Sequence, residues 1–128
     1  MAIESILDAS RAALTYERLR LDAASRNIAG ANVPIAPGHG ATQLVVGSDF
    51  AQALGEEPAV TESPIGTRDV YDPGHPMADA SGMVHYPATD LVQEMTTLVT
   101  ASRSYEANVR SFNILRSMML RALDIGGR

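Results

Sequence analysis

The sequence contains no cysteine, no lysine and no tryptophan. The absence of cysteine excludes disulfide bonds, thiolate metal sites and cysteine nucleophiles. All ten basic residues are arginines, they are spaced between acidic residues, and the net charge is −5. A nucleic-acid-binding protein would carry a basic stripe or patch, and this sequence has no such cluster. Nucleic acid is therefore not a predicted partner.

Large aromatic side chains and long apolar runs are also scarce. Aromatic residues make up 5% of the chain, so alanine, leucine, valine and methionine must supply most of the packing. There is no run of about 18 apolar residues that could span a bilayer. Residues 1–8 (MAIESILD) lack the basic and apolar regions of a Sec-type signal peptide. On these rules alone the predicted location is the cytoplasm.

Proline divides the chain into three parts. All seven prolines lie between Pro34 and Pro87, together with seven of the ten glycines. Because proline and glycine interrupt helices, the two proline-free flanks are predicted to be long helices around an insertion of strands and turns. The predicted segments are an N-terminal assembly helix at 1–32, a β/loop insertion at 33–87 and a C-terminal assembly helix at 88–128.

The N-terminal flank has an apolar residue at every seventh position, with interruptions of the same face at Ser10 and Glu17. The repeated residues are Leu7, Leu14, Leu21 and Ile28. This spacing predicts an amphipathic helix of about 28 residues that ends near Gly30.

The C-terminal flank carries a longer repeat of the same period. Its first row is Leu91, Leu98, Tyr105, Phe112 and Met119. A second row four positions on is Met95, Ser102, Val109, Arg116 and Leu123. Five consecutive heptads are typical of a coiled-coil-like helix. Asp90 is predicted to cap its N-terminus with Gln93 as partner, and Gly126 to follow its last turn.

The insertion contains four short β-like runs, at 43–46, 59–62, 68–71 and 81–87. It is too short and too rich in proline and glycine to cover both helical seams. The predicted fold is therefore mainly α, with two long terminal helices that pack as a coiled-coil-like pair and a small β-rich insertion between them. The seams could pack on each other, on copies of the chain or on homologous subunits.

Residues that could perform chemistry occur only as scattered single residues. His39, His75 and His85 lack metal-ligand spacing and are predicted to be solvated loop residues. Glu56, Glu57 and Glu62 flank or follow Pro58 and are predicted to be solubilising acids. No catalytic, cofactor or metal site is predicted, and the chain is predicted not to be an enzyme.

Four stretches resemble the bacterial flagellar basal-body rod proteins, in particular those of the proximal rod. They are VYDPGHPMADASGMVHYPATDLVQEM at 70–95, TASRSYEANV at 100–109, and SRAAL at 10–14 with LDAASRNIAGAN at 21–32. Two departures are a short segment over 33–57 and Gly30 at a position where the family often has asparagine.

The resemblance implies a structural subunit of the periplasm-spanning drive shaft of the flagellum. It implies export through the flagellar type III apparatus without a Sec signal, which changes the expected location from cytoplasm to periplasm. The implied partners are copies of the chain, other rod subunits, basal-body ring or adaptor proteins and the export machinery, without direct membrane insertion.

The predicted assembly residues combine both heptad rows with asparagines of the family motifs. They are Leu7, Leu14, Leu21, Asn27, Ile28, Asn32, Leu91, Met95, Leu98, Tyr105, Asn108, Val109, Phe112 and Met119. A charge at Leu98 or Phe112 is expected to block assembly while expression continues. The alternative function is a small helical adaptor or export-chaperone-like binding protein; an enzyme such as a peptidoglycan hydrolase lacks any sequence signature.

Overall fold

Two long helices enclose four short strands in the computed structural model, which describes residues 2–47 and 58–127. In chain order these are α1 (Ala2–Gly30), β1 (Ala41–Val46), β2 (Val60–Ile65), β3 (Thr67–Tyr71), β4 (Met83–Pro87) and α2 (Leu91–Gly126). At 1.5 Å per residue, α1 is about 43 Å long and α2 about 54 Å. The predicted fold class is confirmed, and each predicted β-like run overlaps an observed strand.

The two helices lie antiparallel against each other. The start of α1 and the end of α2 line one groove, which includes Ile3 and Met119. The other ends are also adjacent, since Ala24 and Thr97 line a second groove. The most deeply buried side chains of the two helices are small: Ala24 is 1% exposed and Ala101 is 0% exposed. Alanine at these positions lets the helix backbones approach closely.

The start of α2 is fixed by the predicted cap. The Asp90 carboxylate accepts a hydrogen bond from the Gln93 N–H at 3.1 Å, which satisfies one of the free N–H groups of the first turn. The end differs by one residue from the prediction. Gly126 is still helical, and Gly127 is the cap, with its N–H donating to the Leu123 carbonyl at 2.9 Å.

The strands form two separate antiparallel pairs, β1 with β2 and β3 with β4. In the first pair Ala41 lies opposite Ile65, and in the second Thr67 lies opposite Pro87. A single bridge between Ile35 and His85 joins β4 to the segment that follows α1. The Ile35 N–H donates to the His85 carbonyl at 2.8 Å. Through this bridge the second pair is attached to the end of the helix.

The turn between β3 and β4 requires glycine at position 82. Gly82 has φ = +79°, and a Cβ there would lie 3.1 Å from both Pro73 Cβ and Tyr71 Cε2.

We expect Gly82→Ala to lower the free energy of unfolding by about 2 kcal/mol, because alanine at this position would have a left-handed backbone conformation and a steric clash. Urea denaturation followed by circular dichroism measures this. Gly66→Ala is the matched control, since its nearest new contact is an ordinary 3.9 Å; an equal loss in both variants would contradict the assignment.

Candidate assembly surfaces

Apart from Leu91, the first heptad row of each helix lies in the contact between the helices. Half-buried or buried positions of α1 recur at 7, 10, 14, 17, 21, 24 and 28, and those of α2 at 98, 101, 105, 108, 112, 115 and 119. This is the spacing of a coiled-coil seam, and the element that α2 packs on most extensively is α1. The helix pair of the chain itself is therefore stabilised by Leu98, Tyr105 and Phe112. A charge at Leu98 or Phe112 would disrupt the helix pair, so it is no longer a clean test of assembly.

The second row of α2 differs from the predicted one. The companion positions in the seam lie three residues after the first row, at 101, 108 and 115, so Asn108 belongs to the internal contact. The predicted row four residues on faces outward over much of its length, since Met95 is 51% and Leu123 is 65% exposed. Ser102 and Val109 of that row are half-buried. Leu91, at the start of α2, is also exposed.

An open apolar groove lies at the free ends of the two helices. This helix-tip groove has a volume of about 200 Å³ and is lined by Ile3, Ile6, Leu7, Leu115, Met118, Met119 and Ala122. Every lining residue is apolar, and Met118 is 61% exposed. Two of its residues, Leu7 and Met119, come from the predicted assembly set. At this end of the helix pair, apolar side chains between the two helices therefore remain accessible to solvent.

Asn27 has a role inside the chain. It is 8% exposed, its amide N–H donates to the Leu44 carbonyl at 2.9 Å, and its amide oxygen accepts from the Leu44 N–H at 2.8 Å. Leu44 lies opposite Glu62 at a position where the strand's backbone groups point away from β2. Asn27 thus takes the place of a neighbouring strand and attaches β1 to α1. Asn32, by contrast, is exposed and remains a predicted surface residue.

His85 is not a solvated loop histidine, contrary to the prediction. It lies in β4, and its imidazole contacts two carboxylates: Nδ1 is 2.5 Å from Asp69 Oδ1, and Nε2 is 2.8 Å from Asp79 Oδ2. The hydrogen bond to Asp69 and then that to Asp79 raise the pKa of His85 above its ordinary value. The partnership with His85 in turn lowers the pKa of Asp69.

In the part of the chain that the structure describes, the remaining histidines and acids form no comparable cluster. His75 accepts a hydrogen bond from the Met77 N–H at 3.0 Å, and His39 lies exposed in a turn. Glu62 is exposed on β2, whereas Glu56 and Glu57 lie outside the described residues. Within residues 2–47 and 58–127, no group of three acidic or histidine side chains is arranged to hold a metal ion. In the same two ranges, neither helix is long and apolar enough to cross a membrane.

Two roles were missed from the sequence. The internal function of Asn27 depends on a contact between residues 17 positions apart, which helical periodicity does not report. The contact between Asp69 and His85 follows from the β3–β4 register, where the two residues are directly opposed. The β-like runs at 68–71 and 81–87 were both predicted, so aligning them as a hairpin could have revealed this pair.

Comparison with known proteins identifies relatives of the whole chain. A family model described as flagellar basal body rod FlgEFG protein C-terminal matches residues 80–125. The flagellar basal-body rod protein FlgC of Salmonella typhimurium is 40% identical, over 98% of this chain and 99% of that protein. FlgC of Bacillus subtilis is 33% identical over 94% and 95% of the two chains, and that of Borreliella burgdorferi 28% over 98% of both.

The alignment with the B. subtilis protein runs over 144 positions, more than the 128 residues of this chain, so that relative has residues without a counterpart here. The names of the relatives give no support to a helical adaptor. With 40% identity across almost the full length of both proteins, the chain belongs to the family of FlgC-type flagellar basal-body rod proteins.

Proposed function

We propose that the chain is a structural subunit of the proximal rod of the flagellar basal body. We further propose that it assembles through the outward apolar residues of its helices and the helix-tip groove. The observation that carries this is the composition of its core. Within residues 2–47 and 58–127, the buried hydrophobic residues are five alanines and one valine, namely Ala23, Ala24, Ala31, Ala41, Ala101 and Val84.

Many large apolar side chains of the helices are instead exposed to solvent. Ten of them are at least 48% exposed, on α1 Ile3 and Ile6, and on α2 Val92, Met95, Val99, Ile114, Met118, Leu120, Leu123 and Ile125. Full burial of such a side chain contributes about 1.5–3 kcal/mol. Covering the exposed parts of these residues would therefore supply on the order of 10 kcal/mol per subunit, from which the entropy cost of association is subtracted.

The relatives and the exposed helices support a set of partners as well as a role. We propose that copies of the chain and other rod subunits cover the exposed residues, and that basal-body ring or adaptor proteins bind the completed rod. Under this proposal the chain is located in the periplasmic rod and reaches it through the flagellar type III export machinery without a Sec signal. The proposed role is structural and includes no catalysis.

A charge in the helix-tip groove tests the proposal. We expect Met118→Asp, expressed in place of the natural protein, to abolish swimming and to remove the chain from purified basal bodies. The purified monomer should keep its helix content and melting temperature, because Met118 is largely exposed in the free chain. Swimming plates, immunoblots of basal bodies and circular dichroism give the three readouts.

Ser111→Asp is the matched control, since it introduces the same charge at an exposed polar position of the same helix. It should leave swimming close to normal. Normal swimming with Met118→Asp, or an equal defect in both variants, would contradict assembly through the helix-tip groove.

A further inference from the structure

Both ring nitrogens of His85 face a carboxylate oxygen. Nδ1 lies 2.5 Å from Asp69 Oδ1 on β3, and Nε2 lies 2.8 Å from Asp79 Oδ2 in the turn that precedes β4. A neutral imidazole has one N–H group and can donate only one hydrogen bond, whereas the imidazolium donates two. An ionised carboxylate can only accept. The full arrangement is therefore complete only when His85 carries its second proton.

These two hydrogen bonds connect β4, which carries His85, to β3 and to the turn 72–82. Asp79 also accepts hydrogen bonds from the Ser81 N–H at 2.8 Å and the Met83 N–H at 3.0 Å, so it organises the end of the turn 72–82. The His85 carbonyl accepts from the Ile35 N–H in the segment after α1. His85 thus joins the turn to β3 by its side chain, and its backbone bonds to the segment that follows α1.

The charged surroundings of His85 are acidic on the sides that contact the imidazole. On β3, Asp69 also accepts a hydrogen bond from the Thr67 hydroxyl, while the Arg68 guanidinium lies 4.9 Å from the centre of the Tyr86 ring. The other titratable residues of the turn 72–82 are Asp72 and His75. Neither β1 nor the segment 33–37 has a titratable side chain.

We propose that Asp69, Asp79 and His85 form a proton-dependent clasp that fixes the turn 72–82 to the β3–β4 hairpin. Loss of the imidazole proton leaves one carboxylate facing a bare ring nitrogen, and the turn is released while the helix pair stays folded. The order of this turn then depends on the pH of the compartment in which the subunit is located.

The direction of the pH dependence follows from the pKa of each group in the folded and unfolded chain. The carboxylates raise the pKa of His85 above 6.5, so its contribution is complete below pH 6.5 and is lost as the pH rises through the raised value. The pKa of Asp79, held down first by the Met83 N–H and then by His85, lies below 3.8, as does that of Asp69. Their contributions are lost only when the pH falls through the lowered values. The clasp is therefore strongest between pH 3.8 and 6.5.

NMR titration of the full chain tests the proposal. We expect the His85 ring to titrate above 6.5, and the hydrogen-exchange protection of the Ser81 and Met83 amides to fall through the same transition. Each pKa unit above 6.5 corresponds to about a tenfold loss of protection. A His85 pKa at or below 6.5, or unchanged protection of both amides across the titration, would overturn the clasp.

Two variants separate the clasp from general effects of pH. His39→Gln removes an exposed turn histidine and should retain the transition at Ser81 and Met83. His85→Gln should abolish it. If His85→Gln does not fold, Asp69→Asn provides the test, because it keeps the hydrogen bond between His85 and Asp79. This variant should lower the pKa of His85 relative to the natural chain. A transition that persists in His85→Gln, or a His85 pKa unchanged by Asp69→Asn, would contradict the proposal.

Discussion

Replacing Ala101 by aspartate is expected to weaken the contact between the two helices and to destabilise the folded chain strongly. Ala101 is 0% exposed and lies on the face of α2 that packs against α1. A carboxylate there would be buried without a partner, which costs roughly 3–5 kcal/mol even after the surroundings relax. Because small domains are marginally stable, this loss is a large fraction of the total. Far-UV circular dichroism with urea denaturation measures it.

Ala107→Asp gives the matched control for that experiment. Ala107 is on the same helix, six residues further on, and is exposed. The two substitutions share the same change in helix propensity and charge, so the difference between them isolates burial at the helix contact. A loss below 1 kcal/mol at Ala101, or equal losses at both sites, would contradict the close approach of the helices.

Replacing Asn27 by alanine is expected to detach β1 from α1. The change removes both hydrogen bonds to Leu44 and leaves a backbone N–H and a carbonyl without partners beside the helix. An unsatisfied buried polar group costs about 1–3 kcal/mol, so the expected loss of unfolding free energy is about 2–4 kcal/mol. Urea denaturation gives the loss, and hydrogen exchange at the Leu44 amide reports on the strand directly.

The comparison for this prediction is Asn32→Ala, which changes an exposed asparagine at the end of the same family-like motif. It should change stability by less than about 0.5 kcal/mol. Rapid exchange at Leu44 in the natural chain would show that the hydrogen bonds to Asn27 do not hold the strand in solution.

The helices and strands could be predicted because local signals determine them. The confinement of proline to residues 34–87 and the seven-residue repeats locate α1 and α2, and the Asp90 cap fixes where α2 begins. Short β-like runs between turn signals locate the strands. Each of these signals depends on residues that are near each other in sequence.

The division between internal contacts and outward residues could not be predicted in the same way. A heptad repeat shows that Leu98 and Phe112 share one face, but not whether a helix of the same chain or of a neighbour covers that face. The second row was predicted four positions on because Met95, Val109 and Leu123 are apolar, yet Met95 and Leu123 are exposed in the helix pair. The seam instead runs through Ala101, whose small side chain gives a weak hydrophobic signal and a strong packing effect.

Thiol accessibility at position 118 measures coverage of the helix-tip groove directly. The chain has no cysteine, so Met118→Cys introduces a unique thiol. A rod subunit that assembles through this groove should react with a maleimide as a free monomer, should be protected in purified basal bodies, and should react again once those are dissociated. Equal labelling of the monomer and of intact basal bodies, or absence of the chain from the basal bodies, would contradict assembly through the helix tips.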